Sequence, residues 1–351
     1  MTPELEPSVK PCFFDLDIAE LTAQLADWGE PEFRAKQLWN QVYQNMNFDP
    51  TAFSNIPKTL RERIIQTFDF NPVSEIKKVE AANGQTDKYL LGLADGKKIE
   101  AVLMRYRERS TTCISTQVGC AMNCAFCATG QMGFTRNLTS GEIAGQVFYF
   151  ADALKRENRK LTNLVLMGMG EPFHNYANVI KAIDLINHKD GFNFGERRIT
   201  ISTVGILPVI ERFTKAKRQI NLAVSLHAPT NAVRNQIIPA NKKYPIEDLI
   251  EVCKDYTKFT GRRITFEYAM IAGLNDSLEQ AGQLSKLLKG MLCHVNLIAL
   301  NPTGKYDGKG SIREVVNDFY TTLDRAGIAA SIRLNRGVDI GAGCGQLLTR
   351  S

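Results

Sequence analysis

Two periodicities divide the chain. Up to about residue 75, apolar residues recur at helical spacing. Leu21, Leu25 and Trp28 do so within Leu16 to Trp28, which stops at Gly29. Phe33, Leu38, Trp39, Val42 and Tyr43 do so within a second segment from Phe33 to Met46. Pro57 opens a third, Lys58 to Phe68, with Arg61 and Arg63 on its polar side. The pattern then switches to strand alternation. Lys88-Tyr-Leu-Leu-Gly-Leu, a turn at Asp95-Gly96 and Lys98-Ile-Glu-Ala-Val-Leu-Met read as a β-hairpin. From residue 112 a strand–helix rhythm begins. Strands are predicted at 112–117, 162–167, 198–202, 220–226, 263–271 and 294–300, with helices near 139–157, 176–188, 207–216, 245–259, 277–289 and 311–326. A last short strand, Ala330-Ser-Ile-Arg-Leu, precedes a glycine-rich tail.

Six βα units with apolar, β-branched strands imply a parallel sheet with right-handed crossovers. The expected fold is α/β, a partial (β/α)6 barrel; a doubly wound sheet is the alternative. Four parts are expected: a helical accessory domain over 1–75, a β-hairpin extension over 76–110, the barrel over 111–335 and a C-terminal cysteine loop over 336–351.

Composition adds bounds. Hydrophobic content of 44% and charged content of 23% are ordinary for a soluble enzyme. The N-terminus has no basic and apolar regions of a secretory signal, and no apolar run reaches membrane-spanning length. Eight cysteines without export point to a reducing, cytoplasmic setting in which ligands and reactive thiols outnumber disulfides. Net charge is +6 but uneven: residues 1–57 carry three Lys/Arg against nine Asp/Glu, and residues 111–351 carry twenty-nine against twenty. A mildly basic catalytic part suits a phosphate-rich partner, as it suits any solvated surface. Arg105, Arg107 and Arg109, alternating with Tyr106 and Glu108, could grip phosphate and stack a base, or form an ordinary edge.

The candidate chemistry centres on Cys120-Ala-Met-Asn-Cys-Ala-Phe-Cys127. Three soft thiolates at C-x3-C-x2-C spacing can wrap one inorganic centre. A structural zinc site is normally closed by four ligands, so zinc here would need to recruit Cys113. Three thiolates on a [4Fe–4S] cluster leave one iron open. The other unusual residues fall at predicted strand ends, where parallel α/β folds gather their chemistry. Gly168-Met-Gly-Glu171 follows the second strand, and Ser202-Thr203 closes the third. Ser225-Leu226-His227 closes the fourth, and Asn301-Pro302 closes the sixth. Gly168 and Gly170 would let backbone approach a ligand closely, and Glu171 offers charge. Met169 reads as a core residue. Cys113 lies on the first strand and Cys344 among Gly341, Gly343 and Gly345, a loop suited to a moving thiol. Cys12, Cys253 and Cys293 read as structural thiols.

The three-cysteine motif resembles the signature of the radical S-adenosylmethionine (SAM) enzymes. From roughly residue 15 to 348 the chain resembles one of their families, the dual-specificity 23S ribosomal RNA/tRNA (adenine-C2) methyltransferases. The matching segments include Arg34-Ala-Lys-Gln-Leu, Ile99-Glu-Ala-Val, Gln117-Val-Gly-Cys120, Gly133-Phe-Thr-Arg-Asn-Leu138 and Met167-Gly-Met-Gly-Glu-Pro172. Ile201-Ser-Thr, Ser225-Leu-His-Ala-Pro229, Asn241-Lys-Lys-Tyr244, His294-Val-Asn-Leu-Ile and Cys344-Gly-Gln-Leu also match. One departure is visible: the usual acidic-Ala-Ala before the tail cysteine is Gly341-Ala-Gly343 here.

The resemblance implies that Cys120, Cys124 and Cys127 hold a [4Fe–4S] cluster whose open iron chelates SAM. It implies that Gly170, Glu171, Ser202, Ser225, Leu226, His227 and Asn301 form the SAM pocket. Two SAM molecules are used per turnover. Cys344 takes a methyl group from the first. The second supplies the radical that activates that methyl, which then adds to adenine. Glu100 is the implied base for the ring proton, although alone it reads as one acid in a hairpin strand. Cys113 then attacks the Cys344 sulfur, forming a disulfide and releasing the product.

The implied substrates are an adenine of the 23S rRNA peptidyl-transferase region and the adenine next to the anticodon of some tRNAs. The base must leave its stack to react. An electron donor such as flavodoxin or ferredoxin is expected, with no membrane partner and a monomeric enzyme. Two alternatives stand beside this reading. One is the related ribosomal resistance methylase acting on carbon 8. The other is a non-catalytic, zinc-stabilised RNA-binding protein.

Overall fold

The computed structural model describes residues 10–333 and 336–349. Its first part holds α1 (Ile18–Asp27), α2 (Phe33–Trp39) and α3 (Lys58–Thr67), with a π-helical turn at Asn40–Gln44 prolonging α2. Asp17 and Glu20 start α1 with a reciprocal capping box, which satisfies two otherwise orphaned N–H groups.

The central feature is a ten-stranded sheet. Its strands are β1 (Ser74–Glu80), β2 (Thr86–Gly92), β3 (Lys98–Arg105), β4 (Ser110–Cys113), β7 (Asn163–Leu166), β8 (Ile199–Thr203), β9 (Asn221–Ser225), β10 (Ile264–Met270), β11 (Cys293–Ala299) and β12 (Ala330–Ile332), paired in that order. Pairing is antiparallel from β1 to β4 and parallel from β4 to β12. The edges do not meet, so the barrel stays open. β5 (Gln117–Gly119) and β6 (Phe134–Asn137) form a separate ribbon carrying the cysteine loop between them.

Short α4 (Ala128–Gln131) closes that loop. α5 (Ser140–Arg156), α6 (Tyr176–Asn187), α7 (Leu207–Lys215), α8 (Asn231–Ile237), α9 (Ile246–Thr260), α10 (Leu278–Leu288) and α11 (Arg313–Arg325) connect or cover the parallel strands.

The predicted helices of the βα units form within a residue or two of their expected bounds. The first predicted strand does not run as expected: it ends at Cys113, and Gln117 joins the ribbon instead. The cause is local. Ser115 turns its hydroxyl onto the Glu100 carbonyl (2.6 Å) and takes the Met169 N–H (2.8 Å), so the chain leaves the ladder there. The expected hairpin is no separate extension either. It is the inner half of the β1–β3 meander, and Val102 pairs with Cys113 across β3 and β4.

The helical N-terminal region shares one hydrophobic core with the sheet domain. Phe14 and Tyr43 pack on Phe148 of α5 with ring centroids 5.6 and 5.5 Å apart, and Asp15 accepts the Gly141 N–H at the start of that helix. No helix among the described residues is long and apolar enough to cross a membrane.

Candidate active site

The carboxyl ends of the parallel strands face one cavity of about 960 Å³, counting its open mouth. Cys120, Cys124 and Cys127 wall one side. Gly168, Gly170 and Glu171 after β7, Ser202 of β8, Ser225 and His227 at the end of β9, Asn301 after β11 and Cys344 complete it. Leu226 is the exception among the predicted pocket residues. Its side chain is fully buried in the core, and its backbone shapes the turn instead, donating to the Glu267 carbonyl at 3.1 Å.

Glu171, His227 and Asn301 are held by specific hydrogen bonds, and Gly170 by close packing. Gly170 has φ +104°, and a Cβ there would lie 2.6 Å from Gln117 Cβ. The close approach that requires glycine is to the chain's own ribbon, while Gly170 also walls the cavity. That packing lets the Glu171 N–H reach Gln117 Oε1 at 2.9 Å. The Glu171 carboxylate is buried and accepts the backbone N–H groups of Phe173 (3.0 Å) and Val204 (2.9 Å). Burial pushes its pKa up to about 7 despite those bonds.

His227 has left-handed φ (+57°), which costs a non-glycine residue strain. Its turn is clamped from outside by buried Asn275, which donates to the His227 and Ala269 carbonyls, both at 2.7 Å. His227 Nδ1 accepts the Ala269 N–H at 2.8 Å, so the neutral ring carries its proton on Nε2. Burial and nearby Arg234 lower its pKa to about 3. The ring stands edge-on to Phe126, 5.0 Å away.

Asn301 donates to the Cys344 carbonyl at 3.1 Å, while its buried Oδ1 has no protein donor among the described residues. A Cβ at Gly343 would lie 2.6 Å from Asn301 Nδ2, so the glycine that departs from the family pattern is what admits this bond. Three further bonds dock the loop: Ala128 N–H to Gly345 O (2.7 Å), Thr129 Oγ1 to Leu347 O (2.7 Å) and Gln346 Nε2 to Pro302 O (3.0 Å).

Cys113 and exposed Cys344 wall a second, smaller cavity with Met167, Asn301 and Arg333. All eight cysteines are free thiols. The Cys113 thiol is pushed up to about 12, first by burial and then by the charge of Cys344, while Arg333 opposes both. Glu100 is not in this cavity. It lines a third one, where its carboxylate pairs with Lys88 at 3.1 Å and accepts the Leu348 N–H at 2.8 Å. Met169 is fully buried, its Sδ 3.2 Å from the Glu100 N. Cys253 and Cys293 are buried in the core, and Cys12 lies half-buried at its edge.

Several residues of the site carried no signal in the pattern reading. Fully buried Arg234 on α8 fastens three turns of the cavity. It donates to Val204 O (2.6 Å), Ser225 O (3.0 Å), Leu226 O (3.1 Å) and Asn241 Oδ1 (2.8 Å). Glu267 and Arg333 also wall the cavity. An acid inside the apolar strand Ile264-Thr-Phe-Glu-Tyr-Ala-Met was a usable hint for the first.

The donor set fits the groups that the motif implies. Cys120, Cys124 and Cys127 could hold an iron–sulfur cluster: burial is the first cause raising all three thiols, Cys120 to about 12, and an adjoining soft cationic centre is what would offset it. No three His, Cys, Asp or Glu side chains among the described residues are close enough to share a single metal ion, and a cluster does not ask that, since each thiolate binds its own iron. The orphaned Asn301 oxygen and the donor-ready His227 Nε2 suit a polar ligand beside it.

An open parallel sheet with this cysteine loop at its carboxyl rim defines a radical SAM enzyme, and the family model "Radical SAM superfamily" matches residues 114–284. The model "Ribosomal RNA large subunit methyltransferase N-terminal domain" matches residues 13–69. A probable dual-specificity RNA methyltransferase RlmN of Caldicellulosiruptor saccharolyticus is 45% identical over 96% of both chains. The ribosomal RNA large subunit methyltransferase N of Nitrosopumilus maritimus is 43% identical over 94% of this chain and 96% of its own. A crystal structure of a radical SAM methyltransferase from Sphaerobacter thermophilus superposes with TM-score 0.94 at 46% identity, covering 96% of this chain and 99% of the other. The chain belongs to the RlmN family of radical SAM RNA methyltransferases, enzymes that use a [4Fe–4S] cluster and SAM. Membership sets aside the non-catalytic, zinc-stabilised reading.

Proposed function

We propose that this chain methylates carbon 2 of an adenine, with Cys344 as methyl carrier and Cys113 as the thiol that releases the product. The observation that supports it most is the place of Cys344. It walls both the cavity holding the three-cysteine loop and the one holding Cys113, so one short loop can serve the two in turn. The substrates are an adenine of the 23S rRNA peptidyl-transferase region and the adenine beside the anticodon of some tRNAs. The protein works as a cytoplasmic monomer with a flavodoxin- or ferredoxin-like electron donor.

Cys120, Cys124 and Cys127 hold the cluster, and Gly170, Glu171, Ser202, Ser225, His227 and Asn301 surround SAM, with Leu226 shaping the turn. Cluster and SAM together supply an electrophilic methyl group and a carbon radical, which an electron-poor ring carbon requires. The residues of the chain do the rest. The Cys344 thiolate takes the methyl group, which removes its charge. One of the two causes that raise Cys113 then disappears while Arg333 stays, so Cys113 ionises more readily once Cys344 is loaded. The Cys113 thiolate attacks the Cys344 sulfur, and an S–S bond forms as the S–C bond breaks. The methylene carbon keeps the electron pair of that bond, delocalised into the electron-poor ring, and takes a proton to become the methyl group, and the methylated base leaves. Glu100 is the base for the ring proton. Because its carboxylate holds Leu348 and Lys88, that role needs the tail after Cys344 to let go.

Two outcomes test this reading. Nucleosides digested from a 23S hairpin treated with the reconstituted enzyme should contain 2-methyladenosine by chromatography against standards. Finding 8-methyladenosine instead would transfer the chain to the carbon-8 reading. His227→Phe keeps a ring against Phe126 but loses the Nε2 donor. It should weaken anaerobic SAM binding about tenfold, the worth of one good hydrogen bond. Unchanged affinity in equilibrium dialysis would remove His227 from the contacts.

A further inference from the structure

The proton that completes the methyl group at release needs a donor. Cys113 enters the disulfide as a thiolate and has no proton left to give. Glu100 stands in a separate cavity, ion-paired with Lys88. Two acids among the described residues wall the cluster-side cavity, Glu171 and Glu267. Glu171 has each oxygen on a backbone N–H, from Phe173 and Val204, and so is held as an acceptor. Glu267 of β10 is built differently, although it is just as buried, with 6% of its surface exposed.

Glu267, Asn296 of β11 and Ser331 of β12 stand opposite one another across three parallel strands, and His294 lies two residues before Asn296 on the same face. Their side chains form one hydrogen-bonded row. The Ser331 hydroxyl donates to Asn296 Oδ1 at 2.8 Å, and Asn296 Nδ2 donates to Glu267 Oε1 at 3.0 Å. With its hydrogen given to Asn296, the Ser331 oxygen can only accept from His294 Nε2, 2.8 Å away. Every donor therefore points towards Glu267. Its Oε1 accepts, and a proton on this carboxyl belongs on Oε2. That oxygen is buried, and no hydrogen bond among the described residues reaches it.

The surroundings favour the protonated form. Burial is the first cause acting on Glu267 and raises it; Arg333, 3.9 Å from Oε2, and the Asn296 amide oppose this. Of the titratable groups on the neighbouring β9 turn and β11, His227 and His294 are both lowered by burial, which leaves Arg333 as the charge Glu267 meets. Arg333 also ties this acid to the thiols. It walls the Cys113–Cys344 cavity as well as the cluster side, and the charges of Cys344, Glu267 and Cys113 all act on it.

We propose that Glu267 is the acid that completes the methyl group, its Oε2–H giving a proton to the methylene carbon as the S–C bond to Cys344 breaks. The inference rests on the methyl-carrier reading above. The O–H bond breaks, the new C–H bond takes up the electron pair left on the carbon, and the carboxylate that forms is met by Arg333. Glu267 also lines a cavity of about 2010 Å³, counting its open mouth, from which water can return the proton.

The test follows the protein–RNA adduct through its release. Glu267→Gln keeps the shape of the side chain and an acceptor for Asn296, but carries no acidic proton. With a synthetic 23S hairpin, adduct should form within a few-fold of the wild-type rate. Its decay on denaturing gels should slow about a hundredfold, a typical worth for general acid catalysis. Glu267→Asp keeps an acid and should release faster than the glutamine variant. Independently of turnover, the infrared spectrum between pH 6.5 and 8.5 should hold a carboxylic-acid carbonyl band that Glu267→Gln lacks. Decay at the wild-type rate in Glu267→Gln overturns the inference, and so does the absence of that band. A loss confined to SAM affinity would make Glu267 a cofactor contact, and an equal loss in both variants with a lower urea midpoint would make it a brace; either result overturns the acid role. If Cys113→Ala yields no adduct at all, the methyl-carrier reading itself fails, and the inference with it.

Discussion

Replacing Cys113 by alanine should leave RNA covalently attached to the protein, and replacing Cys344 by alanine should leave none. The asymmetry follows from where the thiols lie. Cys344 sits on a loop docked by bonds through its own carbonyl, Gly345, Gln346, Leu347 and Leu348, and it reaches the cluster-side cavity. Cys113 stands at the end of β4, on the floor of the adjoining cavity, and does not wall the cluster side. It therefore cannot load the methyl group, only finish what Cys344 has begun. Turnover should fall by at least about a thousandfold in each variant, as for removal of a nucleophile. Denaturing gels with labelled RNA read the adduct. A Cys113→Ala enzyme that turns over normally would refute the resolving role.

The same geometry gives a pH dependence. Cys113 is raised to about 12, so only a minor thiolate fraction exists near neutrality. In the adduct the charge of Cys344 is gone but burial still raises Cys113, so the rate at which preformed adduct resolves should rise about tenfold per pH unit between pH 6.5 and 8.5, because the thiolate is the nucleophile. A flat profile between pH 6.5 and 8.5 would mean that another step limits release.

Much of this site was legible because its residues obey a rule of position. In a parallel sheet every strand ends on the same rim, so Ser202, Ser225, His227 and Asn301 could be brought together from strand prediction alone. What escaped follows other rules. β1, Ser-Glu-Ile-Lys-Lys-Val-Glu, is an exposed edge strand whose lysines and glutamates shield it from further pairing, so it carries no apolar alternation to detect. Glu100 was read against its hairpin neighbours, but its partner is the backbone of Leu348, far along the chain. Gly170 does wall the cavity, but glycine permits any close approach, and nothing in the pattern says that its tight neighbour is Gln117. Arg234 sits in Asn-Ala-Val-Arg-Asn-Gln-Ile, which reads as a solvated helix face; its partners are mostly backbone carbonyls, which no side-chain pattern reveals.

Arg234 is accordingly where the largest loss of stability is expected. Its guanidinium replaces water for three strand-end carbonyls and for Asn241, which itself binds Asn231 and Asn235. Burial depresses its pKa to about 10, yet the group stays charged at neutral pH, so each bond is charge-assisted. Arg234→Met keeps the volume and strands the acceptors without donors; breaking a buried polar unit in this way costs about 3–5 kcal/mol. Arg234→Lys keeps the charge but cannot span four acceptors with one ammonium, and should fall between the two. The effect should also reach the chemistry. Val204 sits beside Glu171, Ser225 and Leu226 lead into His227, and the Ile237 carbonyl at the end of α8 takes the Ala125 N–H of the cysteine loop at 2.9 Å. Urea unfolding of the methionine variant should show a clearly lower midpoint with an unchanged slope. SAM affinity measured below that transition should drop as well. If stability falls while SAM affinity holds, Arg234 braces the barrel without aligning its rim; if neither moves, the bonds drawn from its guanidinium contribute nothing.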